Sequence, residues 1–177
     1  MRYCFSGHES FYCKSLWLKK GYDYLLSEKS FSDIDSVAEL GVGKNMVASI
    51  RFWLKAFALT VGDIPTELSK LIFDNGSGKD AFAEDINTLW LLHYQLVSSQ
   101  IASIYNLLFL EFQRENMPQT QECIDYINSI SAEDEAEAIG ISFRISNDYG
   151  ETFGRIYKSP VSSPHGPCVL NDGTVLW

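Results

Sequence analysis

The sequence predicts a mainly α protein: a helix-turn-helix (winged-helix-like) N-terminal core, a buried helical pair behind it, and a small C-terminal β element. Three observations carry that expectation. Residues 36–60, SVAELGVGKNMVASIRFWLKAFALT, read as a short helix, a glycine-punctuated turn and a longer helix, the layout in which a second helix is offered to a DNA groove. Residues 85–115 hold the strongest helical periodicity in the chain. From Gly140 onward the pattern changes to short alternating runs separated by turn residues. The expected division is a helix-turn-helix-containing domain over 1–117, followed over 118–177 by a short helix and a small β appendage.

Taken in order, FSGHES at 5–10 reads as a loop, with Ser10 as the N-cap of an amphipathic helix over 11–27. Ser32-Asp33-Ile34-Asp35 supplies capping residues for a first short helix at 36–40. In the second helix, beginning near Asn45, Met46, Ile50, Trp53, Leu54 and Phe57 recur at spacings of three and four, so they form one buried stripe. Residues 60–65 break the helical pattern, and their weak alternation predicts a reduced wing or none. Residues 66–73 follow as a short helix, and Asp74-Asn75-Gly76-Ser77-Gly78 as a turn. Asp85 or Asn87 caps a helix containing Leu89, Trp90, Leu92, His93 and Leu96. A second member of the pair runs over 101–114, apolar on most sides and ended by Pro118. Residues 120–130 form a further short helix. Residues 141–145 and 152–157 pair as strands, and a terminal hairpin turns at Asn171-Asp172-Gly173.

Composition narrows the class. With 46% hydrophobic and 14% aromatic residues among 177, the chain can bury a real core and is not a disordered segment. No apolar run reaches the length of a membrane span, and Met-Arg-Tyr-Cys does not begin a secretory signal. Cys4, Cys13, Cys123 and Cys168 are scattered, so reduced thiols in a cytoplasmic protein are expected. The net charge of -9 opposes nucleic-acid binding. It is unevenly placed, however. Through Thr60, eight Lys/Arg stand against six Asp/Glu (net +2), and the remainder has six against seventeen (net -11). Such a dipolar chain presents a basic end to DNA and an acidic end to a protein.

The candidate nucleic-acid contacts are Lys44, Asn45, Ser49, Arg51 and Lys55. Lys44, Ala48, Arg51 and Lys55 recur with helical period on a face away from the apolar stripe. The cations neutralise phosphates, while Asn45 and Ser49, near the helix start, reach phosphate or base edges. The plainer reading of the same face is a solvated surface of a tri-helical fold that binds protein.

Other motifs carry less. Cys4, His8 and Cys13 have a C-x3-H-x4-C spacing, but a zinc site needs four ligands and no second pair follows; no metal is expected. Gly41-x-Gly43-Lys44 and Gly76-Ser77-Gly78-Lys79 match part of a phosphate loop. Each lacks the leading glycine and the Ser/Thr after lysine, so both read as turns. Ser6, His8 and Glu9 are too close in sequence to converge as a hydrolytic triad. His93 sits on an apolar helix face and His165 in a proline-rich loop. The acidic run at Glu133, Asp134, Glu135 and Glu137 suits a solvated face or a basic partner. No enzymatic activity and no cofactor are expected.

Three segments, FSGHESFYCKSLWLKKGYDYL, SVAELGVGKNMVASIRFWLKAFAL and DINTLWLLHYQL, resemble in order the bacterial family known as domain of unknown function 4007. Its members have a similar FSGHETF opening, LGVGKNMV-SIR-W centre and LWLLHW-like helix, and the resemblance covers roughly residues 5–115. This chain departs from the pattern at Tyr12-Cys13, at Ala58 where glycine is usual, and at Tyr94 in place of tryptophan. Beyond Pro118 no family motif is recognised, and members are usually longer. The resemblance implies a bacterial protein found beside DNA-modification and phage-defence genes, including sulfur-transfer enzymes related to phosphorothioation. It implies no catalytic residue or cofactor.

The expected function is a non-enzymatic DNA-binding or DNA-targeting accessory of a bacterial defence or DNA-modification system. Its partners are DNA and a protein of that system, with no membrane, and a lone module needs a homodimer or a complex to gain affinity. The alternative is a protein-interaction subunit, including a nucleic-acid-mimicking or inhibitory one. It docks through its acidic C-terminal half, with Phe52 and Tyr105 as aromatic anchors.

Overall fold

The computed structural model describes residues 3–14, 16–111, 129, 168–169 and 175–176. Its centre is helix α3 (Lys44–Ala56), against which α1 (Trp17–Leu26), α2 (Ser36–Leu40) and α5 (Ile86–Ser99) pack. Strands β1 (Thr60–Val61) and β2 (Ile64–Pro65) follow α3, and then come α4 (Glu67–Phe73) and α5. Helix α6 (Ser103–Asn106) continues as a π-helical turn, Leu107–Glu111. Strands β3 (Cys168–Val169) and β4 (Val175–Leu176) pair antiparallel with Cys168 opposite Leu176. The described residues are thus mainly helical, with two minimal hairpins, as expected. The strands expected at 141–145 and 152–157, the helix at 120–130 and the acidic run lie outside the described residues.

The apolar stripe of α3 makes the core. Ile50, Trp53, Leu54 and Phe57 are fully enclosed, while Met46 is only partly buried. Burial of each such large side chain contributes about 1.5–3 kcal/mol. Trp53 is the hub: its ring meets Phe52, Phe57 and Tyr105 at centroid distances of 5.4, 6.0 and 6.0 Å. Its indole N–H donates to the Phe11 carbonyl at 3.0 Å, which satisfies the one polar atom the ring buries. Helix α1 approaches closely because Gly21 has no side chain. A Cβ there would stand 2.7 Å from Leu54 and 2.8 Å from Ile50.

Two helix boundaries differ from expectation, and both differences have a backbone cause. Helix α1 starts at Trp17 and not at Phe11, because Glu9 and Ser10 both adopt left-handed φ angles (52° and 61°). Ser10 therefore ends a loop and caps no helix, and Phe11–Lys14 run across α3 in irregular form. The expected helix over 101–114 is interrupted: Gln100 closes α5 in the left-handed conformation, and the chain restarts at Ser103. There the Ser103 hydroxyl accepts the Cys4 N–H at 2.8 Å and its own N–H donates to the Cys4 carbonyl at 3.1 Å. The N-terminal segment is in this way stitched to the far side of the core.

Candidate nucleic-acid interface on the third helix

The turn between α2 and α3 is built by hydrogen bonds that the glycines permit. Gly41 sits at φ 60°, its N–H donates to Ala38 and the Val42 N–H donates to Val37, each at 3.3 Å. That pair of bonds is a Schellman closure. Gly43 then stands extended as the N-cap of α3, and the Val47 N–H donates to its carbonyl at 3.0 Å. The result is a short helix joined by a tight turn to α3, whose first residues, Lys44 and Asn45, are exposed to solvent.

Along the outer face Lys44 and Ala48 are exposed, and Arg51 and Lys55 are partly so. Among the described residues no carboxylate pairs with Lys44. Arg51 differs. Its Nε donates to Asp63 Oδ1 at 2.8 Å, and Nη2 lies 2.8 Å from Oδ2. Lys55 Nζ is 3.9 Å from the same carboxylate. Asp63 comes from the turn of the β1–β2 hairpin, whose short strands pair as Thr60 with Pro65 and Val61 with Ile64. The cationic line therefore has one open end, at Lys44, and one end neutralised by the hairpin.

A groove of about 570 Å³ runs beside this line. Lys44, Arg51 and Lys55 form its α3 wall, and Ile34, Val37 and Phe52 contribute its apolar surface. Ile34 is 97% exposed. A second groove of about 410 Å³, between α1 and α2, also contains lysines, but each is engaged. Lys19 binds Asp23 and Asn75, Lys20 donates to the Leu40 carbonyl at 2.9 Å, and Lys29 pairs with Glu39 at 2.7 Å. Of these two grooves, the one along α3 offers Lys44, which no carboxylate pairs with among the described residues.

The structure brings Lys44, Arg51 and Lys55 together along one groove, leaves Asn45 exposed at the start of α3, and encloses Ser49. Ser49 is wholly enclosed, because its position in the helix turns it inward beside Ile50 and Trp53. It reaches no groove. The two aromatic anchors are also corrected: Tyr105 is 1% exposed against Trp53, and Phe52 is partly covered by the N-terminal loop. Sequence reasoning missed Asp63 and Ile34. Asp63 lies twelve residues from Arg51 in a turn, where no helical spacing joins them.

In the FSGHES segment Phe5 and His8 are buried, while Ser6, Glu9 and Ser10 are exposed. Gly7 adopts φ 110°, and a Cβ there would lie 2.6 Å from the Phe52 ring. His8 stacks on Trp53 at 6.1 Å and meets the edge of Phe52 at 5.7 Å. Burial holds its pKa below the ordinary value, as it does for His93, lowered to about 4. Cys13 is buried, and its Sγ lies 3.8 Å from the Lys14 carbonyl, whereas Cys4 Sγ points to the Ser6 carbonyl at 3.2 Å. Among the described residues no three His, Cys, Asp or Glu side chains gather to hold a metal, and no helix is long and apolar enough to cross a membrane. Both glycine-lysine segments are turns: Gly41 closes α2, and Gly78 lies in the turn that follows the α4 C-cap Asp74, its N–H donating to the Asp74 carbonyl at 2.9 Å.

No curated protein matches the chain. Two crystal structures are similar to part of it. "Magnesium ion-bound SspB crystal structure" is 33% identical, with a TM-score of 0.47, covering 54% of this chain and 31% of that one. "SspB crystal structure" is 35% identical with the same TM-score, covering 54% and 32%. The matched stretch therefore spans about a third of the length of those proteins. A family match is broader, covering residues 5–164 and crossing Pro118, where recognisable motifs stop. The chain belongs to the family described as protein of unknown function, DUF4007.

Proposed function

We propose that this protein is a non-enzymatic DNA-binding or DNA-targeting accessory of a bacterial defence or DNA-modification system, and that α3 enters the major groove. The observation that supports this most is the split character of α3: one face is wholly enclosed, and the other carries Lys44, Ala48, Arg51 and Lys55 in line. In this reading Lys44, Arg51 and Lys55 engage phosphates, and Asn45 meets a base edge beside the exposed Ala48. The contacts are few, so affinity depends on a homodimer or on a protein partner from the same system. The overall charge of -9 sets the orientation, because only this basic end approaches a polyanion favourably.

Fluorescence anisotropy with a DNA duplex at about 50 and 200 mM salt tests the proposal, since each phosphate contact contributes about 0.9 to the salt slope. Binding is expected to fall with salt and to be lost in the Lys44→Ala/Arg51→Ala/Lys55→Ala variant. Equal binding by that variant would defeat the assignment of α3.

A second reading, a protein-interaction subunit, is favoured by exposed aliphatic side chains. Ile34, Val61 and Ile64 are 97%, 74% and 75% exposed, and they serve as anchors better than the buried Tyr105 and the partly covered Phe52. A pull-down that captures a protein through these three positions, from a chain without DNA affinity, would establish it.

A further inference from the structure

We propose that Asp63 is a latch on the DNA-binding face: its carboxylate occupies the phosphate position of the Arg51–Lys55 pair, and a DNA phosphate displaces it on binding. This inference rests on the DNA reading of α3 and adds to it a regulatory residue that lies outside the helix. The geometry is that of an anion clamp already filled. Arg51 presents two nitrogens to two oxygens of one carboxylate, each at 2.8 Å, and Lys55 stands 3.9 Å from one of them. A guanidinium binds carboxylate and phosphate with the same fork.

The carboxylate is delivered by a small, separable element. The hairpin has two residues per strand, and Asp63 lies between Val61 and Ile64, both largely exposed. Its base is tied independently of the latch: the Thr66 N–H donates to the Leu59 carbonyl at 3.0 Å, and the Thr66 hydroxyl donates to Ala58, also at 3.0 Å. The tip can therefore leave Arg51 while the base stays. Both partners of the ion pair keep solvent access, with side-chain exposures of 40% for Arg51 and 25% for Asp63. An ion pair with this access to water exchanges its anion for another of matching geometry. Lys44, which has no carboxylate partner among the described residues, makes the first contact, and exchange at Arg51 follows. The latch lowers affinity for any polyanion, so it favours sites where enough other contacts form to open it.

The test is a double-mutant cycle in the full chain: wild type, Asp63→Asn, Arg51→Ala and the double variant, with duplex anisotropy at about 150 mM salt, where screening acts within about 8 Å. Lys44→Ala is measured alongside, and Asp63→Ser replaces Asp63→Asn should the latter unfold. Asp63→Asn is expected to bind about two- to fivefold tighter than wild type, and the gain is expected to vanish when Arg51 is alanine. A gain that persists without Arg51 would mean simple charge removal and would overturn the latch. No gain at Asp63, with binding still weakened by Lys44→Ala, would overturn the latch and leave the DNA reading standing. Binding by Asp63→Asn where wild type shows none would support the latch strongly. Absence of binding by every variant, even at about 50 mM salt, would overturn both.

Discussion

The two faces of α3 are built from interleaved residues of one helix, yet they are held by opposite means. The inner face, with Ile50, Trp53 and Leu54, is enclosed by three helices and by the FSGHES loop, whose Gly7 and His8 lie against Phe52 and Trp53. The outer face carries Arg51 and Lys55, both paired with Asp63 of a hairpin that has two residues in each strand. The family's opening motif and its central motif thus do different work. The first fixes α3 in place, and the second, through the Gly41 turn, sets the start of α3 free in solvent. Gly7 and His8 are here packing residues, set against Phe52 and Trp53.

Perturbing the inner face should unfold the protein, and the largest effect is expected at its hub. Trp53→Ala removes the ring that Phe52, Phe57, Tyr105 and His8 all touch, at a cost of about 3–5 kcal/mol, read by chemical denaturation. Acid comes next. His93 is buried with a pKa lowered to about 4, and burial lowers His8 as well. Imidazoles that charge less readily when folded give stability that is full above about pH 6.5 and is lost as the pH falls toward about 4. The His93 share is on the order of 3 kcal/mol, and His93→Gln should flatten the pH dependence of the denaturation midpoint. A third test addresses the loop: Gly7→Ala should destabilise by about 1–3 kcal/mol, from strain at φ 110° and the clash with Phe52.

The end of α3 makes a smaller prediction of opposite sign. Ala58 sits at φ 55°, where its N–H donates to Lys55 and the Leu59 N–H to Leu54, each at 2.9 Å. This is the left-handed closing position of the helix, which explains why glycine is usual there in proteins this chain resembles. Ala58→Gly should stabilise by about 1 kcal/mol, seen as a rise in Tm. Smallest of all is the outer face. Lys44→Ala should leave stability within about 0.5 kcal/mol, while flattening the salt dependence of DNA binding by about one phosphate-equivalent. A loss of stability at Lys44 comparable to that at Gly7 would erase the distinction between the faces.

Local pattern was enough to find α3, α4 and α5, because each has either an apolar stripe or a capping residue at its start; α2 lies where expected, but its N-cap Asp35 makes no side-chain capping bond, and Asp33 accepts the Ser30 N–H instead. Thr66 accepts the Ser69 N–H and Asp85 the Asn87 N–H, as their residue types suggest. Periodicity failed where backbone conformation overrode it, at Glu9-Ser10 and at Gln100, since neither residue type announces a left-handed φ. The shared face of Lys44, Arg51 and Lys55 could be read because cations recur there with the helical period. Ser49 could not be excluded, because a small polar residue fits either face, and its oxygen is buried with no hydrogen-bond partner among the described residues. Asp63 was out of reach for a different reason: its role depends on how the hairpin folds back, which is tertiary information.

The most direct test of two faces with two roles is an NMR titration of the labelled protein with a DNA duplex. Shift changes are expected at Lys44, Asn45, Ala48, Arg51 and Lys55, extending to Asp63, with Ile50, Trp53 and Leu54 unmoved. Changes centred instead on the exposed side of α5, at Leu91 and Tyr94, or no changes at all, would contradict the assignment of α3 as the DNA-facing helix.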